Sequence, residues 1–144
     1  STPLDLAMSY RSSNLTDTDI VVQATFVTTE EDVDALEDEI REITRWRKAN
    51  QPGGTLNAGS VFKNPSGDFA GAIIERVGLK GERFGPVRVS PVHANFLVAG
   101  DDSTADDIFS FVEHIRAIVR DRTGIDLEPE IKFLGEFAAD REAS

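Results

Sequence analysis

Ser60, Lys63 and Asn64 place a hydroxyl, an ammonium and an amide within five consecutive positions, in the stretch Asn57-Ala58-Gly59-Ser60-Val61-Phe62-Lys63-Asn64-Pro65. Together they offer hydrogen bonds and a positive charge to an anionic small molecule. Gly59 permits backbone angles that a Cβ would block, and Pro65 holds Asn64 extended. Spacing alone describes a polar turn closing a strand equally well. A second group is Glu128-Pro129-Glu130-Ile131-Lys132. Pro129 biases Glu128 toward extended geometry, and strand alternation puts Glu130 and Lys132 on one face with Ile131 inward. A charged entry to a strand reads the same way. Arg41, Arg45, Arg47 and Lys48 form a cationic cluster that, with Lys63, would suit an anionic ligand. The same cluster would also suit the C-terminal end of a helix.

The elements that must position these groups follow from pattern. Ile20, Val22, Ala24 and Phe26 alternate along a β-branched run, which predicts a strand over 20–28. Thr28 and Glu31 fit a capping box for a helix running to about Lys48. Its stripe, Val33, Leu36, Ile40, Ile43 and Arg47 or Trp46, is expected to be core. Pro52, Gly53 and Gly54 break the chain, and a domain boundary is placed there. A short helix over 68–77 is capped by Ser66 or Asp68, lined by Phe69, Ile73 and Val77, and stopped by Gly78. Strands are expected at 87–90 and 94–99. A long helix runs over 103–122, capped by Ser103 or Thr104, with Ile108, Phe111, Val112, Ile115, Ile118 and Val119 inward and Gly124 at its end. A last strand is expected at 131–134. The mixture without βαβ alternation predicts an α+β fold, a small, mostly antiparallel sheet packed with helices.

Composition narrows the function. The chain has 144 residues, 40% hydrophobic and 28% charged, enough for one domain with a core or for one domain plus a fragment of another. The net charge of −11 argues against general nucleic-acid binding and against anionic membranes. No run approaches a membrane span, and no signal-peptide pattern is visible. There is no cysteine, hence no disulfide framework, thiolate site or cysteine nucleophile. No metal-ligand spacing, phosphate loop or dinucleotide fingerprint appears. A cytoplasmic protein is expected. The chain opens on Ser1 rather than Met, as a processed, tagged or excised chain would.

Gly59-Ser60-Val61-Phe62-Lys63-Asn64-Pro65 resembles the signature of the UDP-N-acetylenolpyruvoylglucosamine reductases, flavoenzymes of peptidoglycan-precursor synthesis. Tyr10-Arg11, Phe69 to Gly81, His93-Ala94-Asn95-Phe96 and Leu127 to Phe133 resemble that family in the right order. Ser9 and Ser12 stand where the family commonly has Gly and an Asp or Asn. The resemblance covers roughly residues 7–137. The N-terminal FAD-binding domain of the family, with its glycine-rich flavin loop, has no counterpart in the sequence.

The resemblance implies reduction of an enol ether bearing a carboxylate, with reducing equivalents from NADPH passing through FAD. Enolate charge must be stabilised and the carbanionic carbon protonated. On this reading Ser60 is the proton donor, Arg11 grips the carboxylate, and Glu130, aligned with the family's catalytic glutamate, donates to the same enolate. Tyr10, Lys48, Lys63 and Asn64 become candidates for the UDP-sugar, and His93 and Asn95 candidate pocket liners. FAD and NADPH are expected to bind mainly through the absent domain, on the same or a companion chain. Residues 1–50 are read as the last strand and connecting helix of the FAD-binding region, 51–137 as the substrate-binding domain, and 138–144 as a disordered tail. A non-catalytic nucleotide-sugar binding module is the alternative.

Overall fold

The computed structural model describes residues 5–16 and 18–137; the tail expected over 138–144 lies outside them. By contact density the chain divides into two compact units, Ser1–Ile40 and Arg41–Ser144, each described by itself. Helix α1, Val33–Asn50, runs across that division.

In the first unit a hairpin-like turn is closed by reciprocal backbone bonds between Ser9 and Ser12, at 3.0 and 3.2 Å. Asn14 ties it back by donating from its N–H to Leu6 O, at 2.9 Å. The strand expected over 20–28 is not found: these residues join no ladder and are exposed. Ile20 is 86% and Val27 fully exposed. β-branched composition favours extended backbone, but a strand exists only through hydrogen bonds to a neighbour, and no described segment supplies one.

α1 starts at Val33, later than the Thr28 capping box would place it, because Asp32 Oδ1 accepts from Ala35 N at 2.9 Å. The expected core stripe is also corrected: α1 buries no residue. Val33, Leu36, Ile40, Ile43 and Trp46 are all exposed.

The second unit carries the core. β1 (Arg83–Phe84), β2 (Val87–Val89) and β3 (Leu97–Ala99) form an antiparallel sheet in that order. Val87 faces Ala99 and Val89 faces Leu97 in register. Helices α2 (Ala70–Arg76) and α3 (Ala105–Thr123) complete an α+β domain of the expected kind. Ile73 and Ile74 of α2, Val87 and Val89 of β2, and Phe111, Val112, Ile115 and Val119 of α3 pack into one buried cluster. α3 begins with a capping box, in which Thr104 accepts from Asp107 N and the Asp107 carboxylate accepts from Thr104 N. It ends at Gly124, whose φ of 73° is left-handed. α2 closes in a Schellman motif, Gly78 N donating to Glu75 O and Leu79 N to Ile74 O. Phe69, expected to line the core face of α2, is its exposed N-cap. The strand expected at 131–134 is not found; just before it, Pro129 forms an isolated bridge to Phe62. The two bonds of that bridge, Lys63 N to Glu128 O and Glu130 N to Val61 O, lie on either side of Pro129, and no neighbouring strand among the described residues continues them over 131–134.

No helix of the described residues is long and apolar enough to cross a membrane. Among them no cluster of His, Cys, Asp or Glu could hold a metal.

Candidate functional site

The segment Ser60–Lys63 lies between two neighbouring backbones, and Val61 is where it changes partner. On one side Ser60 bridges Phe96, and Val61 N donates to Asn95 O at 2.9 Å. On the other, Glu130 N donates to Val61 O at 2.7 Å and Lys63 N to Glu128 O at 2.9 Å. Sequence positions 65 and more apart are thereby joined: the polar segment at 60–64 and the carboxylates at 128–130 sit on adjacent backbones. Val61 and Phe62 are both buried, so the alternation of a one-sided strand stops here.

The changeover leaves the N–H and C=O of Phe62 outside either backbone ladder. Buried peptide groups need partners. The Asn95 carboxamide supplies both, Oδ1 accepting from Phe62 N at 3.0 Å and Nδ2 donating to Phe62 O at 2.8 Å. Asn95 is itself only 5% exposed. Its amide is committed to the backbone in this structure, where the sequence suggested a pocket liner.

Asn64 is committed as well. Its Oδ1 accepts from Ala70 N at 3.0 Å, at the start of α2. The capping role expected of Ser66 or Asp68 is thus shared differently. Asp68 accepts from Phe69 N at 2.7 Å and pairs with Arg76 across the helix. Those hydrogen bonds, Arg76 foremost, hold the Asp68 carboxyl below its usual range.

Lys63 pairs with Glu128, a partner that the sequence reading did not assign. The only signal for it was the acidic pair flanking Pro129. Lys48 is exposed in the last turn of α1. Tyr10 and Arg11 belong to the first unit. Arg11 has a left-handed φ of 53°, and its guanidinium lies 5.8 Å from the Tyr10 ring centroid.

His93 sits on a short bend built by Ser90, whose buried Oγ accepts from Val92 N and His93 N. The His93 ring meets Phe96 edge-on, centroids 4.9 Å apart. Asn95 N donates to Nδ1 at 3.2 Å, which leaves the ring proton on Nε2. A Cβ at Gly71 would come within 3.2 Å of His93 Cε1, so this glycine lets the ring lie close to α2. Burial pushes the His93 imidazole below 6.5, and the nearby Lys80 ammonium adds to the effect.

Beside this segment lies a cleft of about 410 Å³, lined mainly by apolar atoms of Leu56, Val61, Leu97, Ala99, Ile108 and Ile131. No cation lines it, and a dinucleotide carries a diphosphate that cations or clustered N–H groups must meet. The cleft therefore does not fit FAD or NADPH.

A small antiparallel sheet under helices, with a Ser-Lys-Asn segment held between two backbones, is the architecture of a reductase C-terminal domain. It matches the crystal structure of UDP-N-acetylenolpyruvylglucosamine reductase from Thermus caldophilus with a TM-score of 0.78 at 32% identity, over 92% of this chain and 47% of that one. A family profile, "UDP-N-acetylenolpyruvoylglucosamine reductase, C-terminal domain", matches residues 51–134. A reductase of Symbiobacterium thermophilum is 43% identical over 134 residues, covering 92% of this chain and 44% of the relative. One of Synechocystis sp. is 43% identical over 140 residues, covering 92% and 43%. The chain belongs to the UDP-N-acetylenolpyruvoylglucosamine reductase family and contains its C-terminal domain. It spans less than half the length of these relatives.

Proposed function

We propose that this chain is the substrate-binding part of a flavin-dependent reductase that converts UDP-N-acetylglucosamine enolpyruvate to UDP-N-acetylmuramate with NADPH, in peptidoglycan precursor synthesis. One observation carries the reading: Glu130 N donates to Val61 O, the carbonyl next to Ser60. The two residues that the chemistry needs thereby sit on adjacent backbones, although 70 positions separate them in sequence.

In this reading residues 1–50 belong to the FAD-binding region and 51–137 form the substrate domain. FAD and NADPH supply the reducing equivalents and are held by the part of the reductase beyond this chain. The protein's own residues bind, orient and protonate. Ser60 Oγ gives its proton to the carbanionic carbon of the reduced enol ether. Glu130 donates to the carboxylate on which enolate charge develops, a group that the family resemblance also assigns to Arg11. Tyr10, Lys48 and Lys63 meet the diphosphate and sugar, Lys63 by exchanging Glu128 for the ligand. Asn64 and Asn95 serve the same pocket through the backbone that they hold, and His93 lies beside it as a neutral donor at Nε2.

The test is turnover with the FAD-binding half present. Ser60→Ala should lower kcat by about 10²-fold or more while flavin binding is unchanged. Normal turnover in that variant would remove Ser60 from the mechanism. The alternative is a nucleotide-sugar binding module without catalysis. It predicts calorimetric binding of a UDP-sugar with no turnover after the FAD-binding half is added.

A further inference from the structure

We infer that Asn95 is a positioning residue for the Ser60 hydroxyl, acting through the backbone of Phe62. The inference rests on the reading of Ser60 as proton donor. Three polar groups of Asn95 hold two consecutive residues: its backbone O takes Val61 N–H at 2.9 Å, Oδ1 takes Phe62 N–H at 3.0 Å, and Nδ2 gives to Phe62 O at 2.8 Å. Neither ladder beside the segment reaches the Phe62 peptide groups, because the chain changes partner at Val61. Without the carboxamide those groups would be buried and unpaired, a condition that folded proteins avoid. Relief would come from rotation of the peptides around Phe62. Ser60 is two residues away, beyond Val61, so that rotation would turn its hydroxyl.

The grip has few alternatives. Phe62 is 1% exposed, so water cannot readily replace the amide. The surroundings also fix Asn95. Its N–H is held by His93 Nδ1 at 3.2 Å, and its Cβ would lie 3.5 Å from a Cβ placed at Gly71. Leucine has similar volume and neither polar atom. Aspartate keeps the acceptor and regains a donor only when protonated. The pair therefore separates packing from hydrogen bonding.

Amide hydrogen exchange on the full chain reads the clamp. In Asn95→Leu the Phe62 N–H should exchange at least about tenfold faster relative to Val112 and Ile115 in α3. Asn95→Asp keeps the acceptor for Phe62 N–H but at pH 8 sets a carboxylate oxygen against Phe62 O, so it should show a smaller acceleration than Asn95→Leu, one that disappears as the pH is lowered and its carboxyl takes a proton. If Phe62 accelerates only in step with α3, or if the aspartate variant shows no recovery, Asn95 contributes bulk stability and the inference fails. Should the leucine variant not fold, the aspartate titration decides alone.

Turnover with the FAD-binding half then connects the clamp to Ser60. Asn95→Asp at pH 8 should lower kcat on the order of 10- to 100-fold with little change in KM, as displacement of a reacting group does. If Ser60→Ala abolishes turnover while Asn95→Asp leaves kcat intact, the positioning role falls and the donor stands. If Ser60→Ala turns over normally, the donor reading falls, and with it any positioning of a donor.

Discussion

α1 and α3 have nearly the same sequence description and opposite fates. They are 18 and 19 residues long, each with acidic charge in the first turn (Asp34 in α1, Asp106 and Asp107 in α3), basic residues in the last and an apolar stripe between. α3 buries Phe111, Val112, Ile115 and Val119; α1 buries nothing. An amphipathic pattern states which face a helix would bury. It does not state whether the chain in hand supplies the cover. For α3 the cover is the sheet and α2. For α1, and for the β-branched run before it, it is not among the described residues.

The sharpest way to break this contrast is to truncate matched residues. Ile115→Ala in α3 should cost about 2–5 kcal/mol of unfolding free energy in urea. Ile40→Ala in α1 should change it by no more than about 0.5 kcal/mol. Similar losses at both sites would mean that the stripe of α1 is covered in solution. Repeating the pair with the FAD-binding half present sharpens the test, because under the proposed function that half covers α1, and Ile40→Ala should then become costly.

A smaller effect is expected at the helix starts. Thr104→Ala removes the capping box of α3 and should cost about 1 kcal/mol. Asp32→Ala at the start of α1 should leave the global transition nearly unmoved, since the unfolding of the core does not depend on that helix. Denaturation midpoints of the two variants check this.

The smallest effect concerns His93. Its imidazole is held neutral by burial, with a folded value below 6.5. The unfolded chain therefore takes up a proton more readily. The stability from the neutral ring is complete above pH 6.5 and is lost as pH falls from there through the folded value. Urea denaturation at pH 8 and pH 5 should show a drop that His93→Gln lacks. A pH dependence unchanged by that substitution would take His93 out of the packed region's electrostatics.

What could be read from the sequence was local. Thr104, Gly78 and Gly124 announced the ends of their helices, because capping depends on residues within four or five positions. The stripe of α3 followed from periodicity, the strands expected at 87–90 and 94–99 formed over the shorter spans 87–89 and 97–99, and the Ser60 motif pointed to the family. Apart from the late start of α1 and the outward turn of Phe69, the failures involved a missing or distant partner. Residues 20–28 have strand composition without a neighbour, and 131–134 joins no ladder although Ile131 and Phe133 pack against the core. The Asn95 clamp spans 33 positions and the Lys63–Glu128 pair 65, and no periodicity encodes either. Asn64 was legible as an important residue but not as the one whose amide meets the first N–H of α2.

Gly59 precedes Ser60 with a φ of 84°, and a Cβ built there would touch nothing within 4 Å. Its N–H is held by Asn57 Oδ1 at 3.0 Å. The position is thus roomy in volume and restrictive in handedness. An L-alanine would have space but the wrong mirror sense for the backbone, whereas a D-alanine would have both. The turn that delivers Ser60 to its place is specified by chirality rather than by packing.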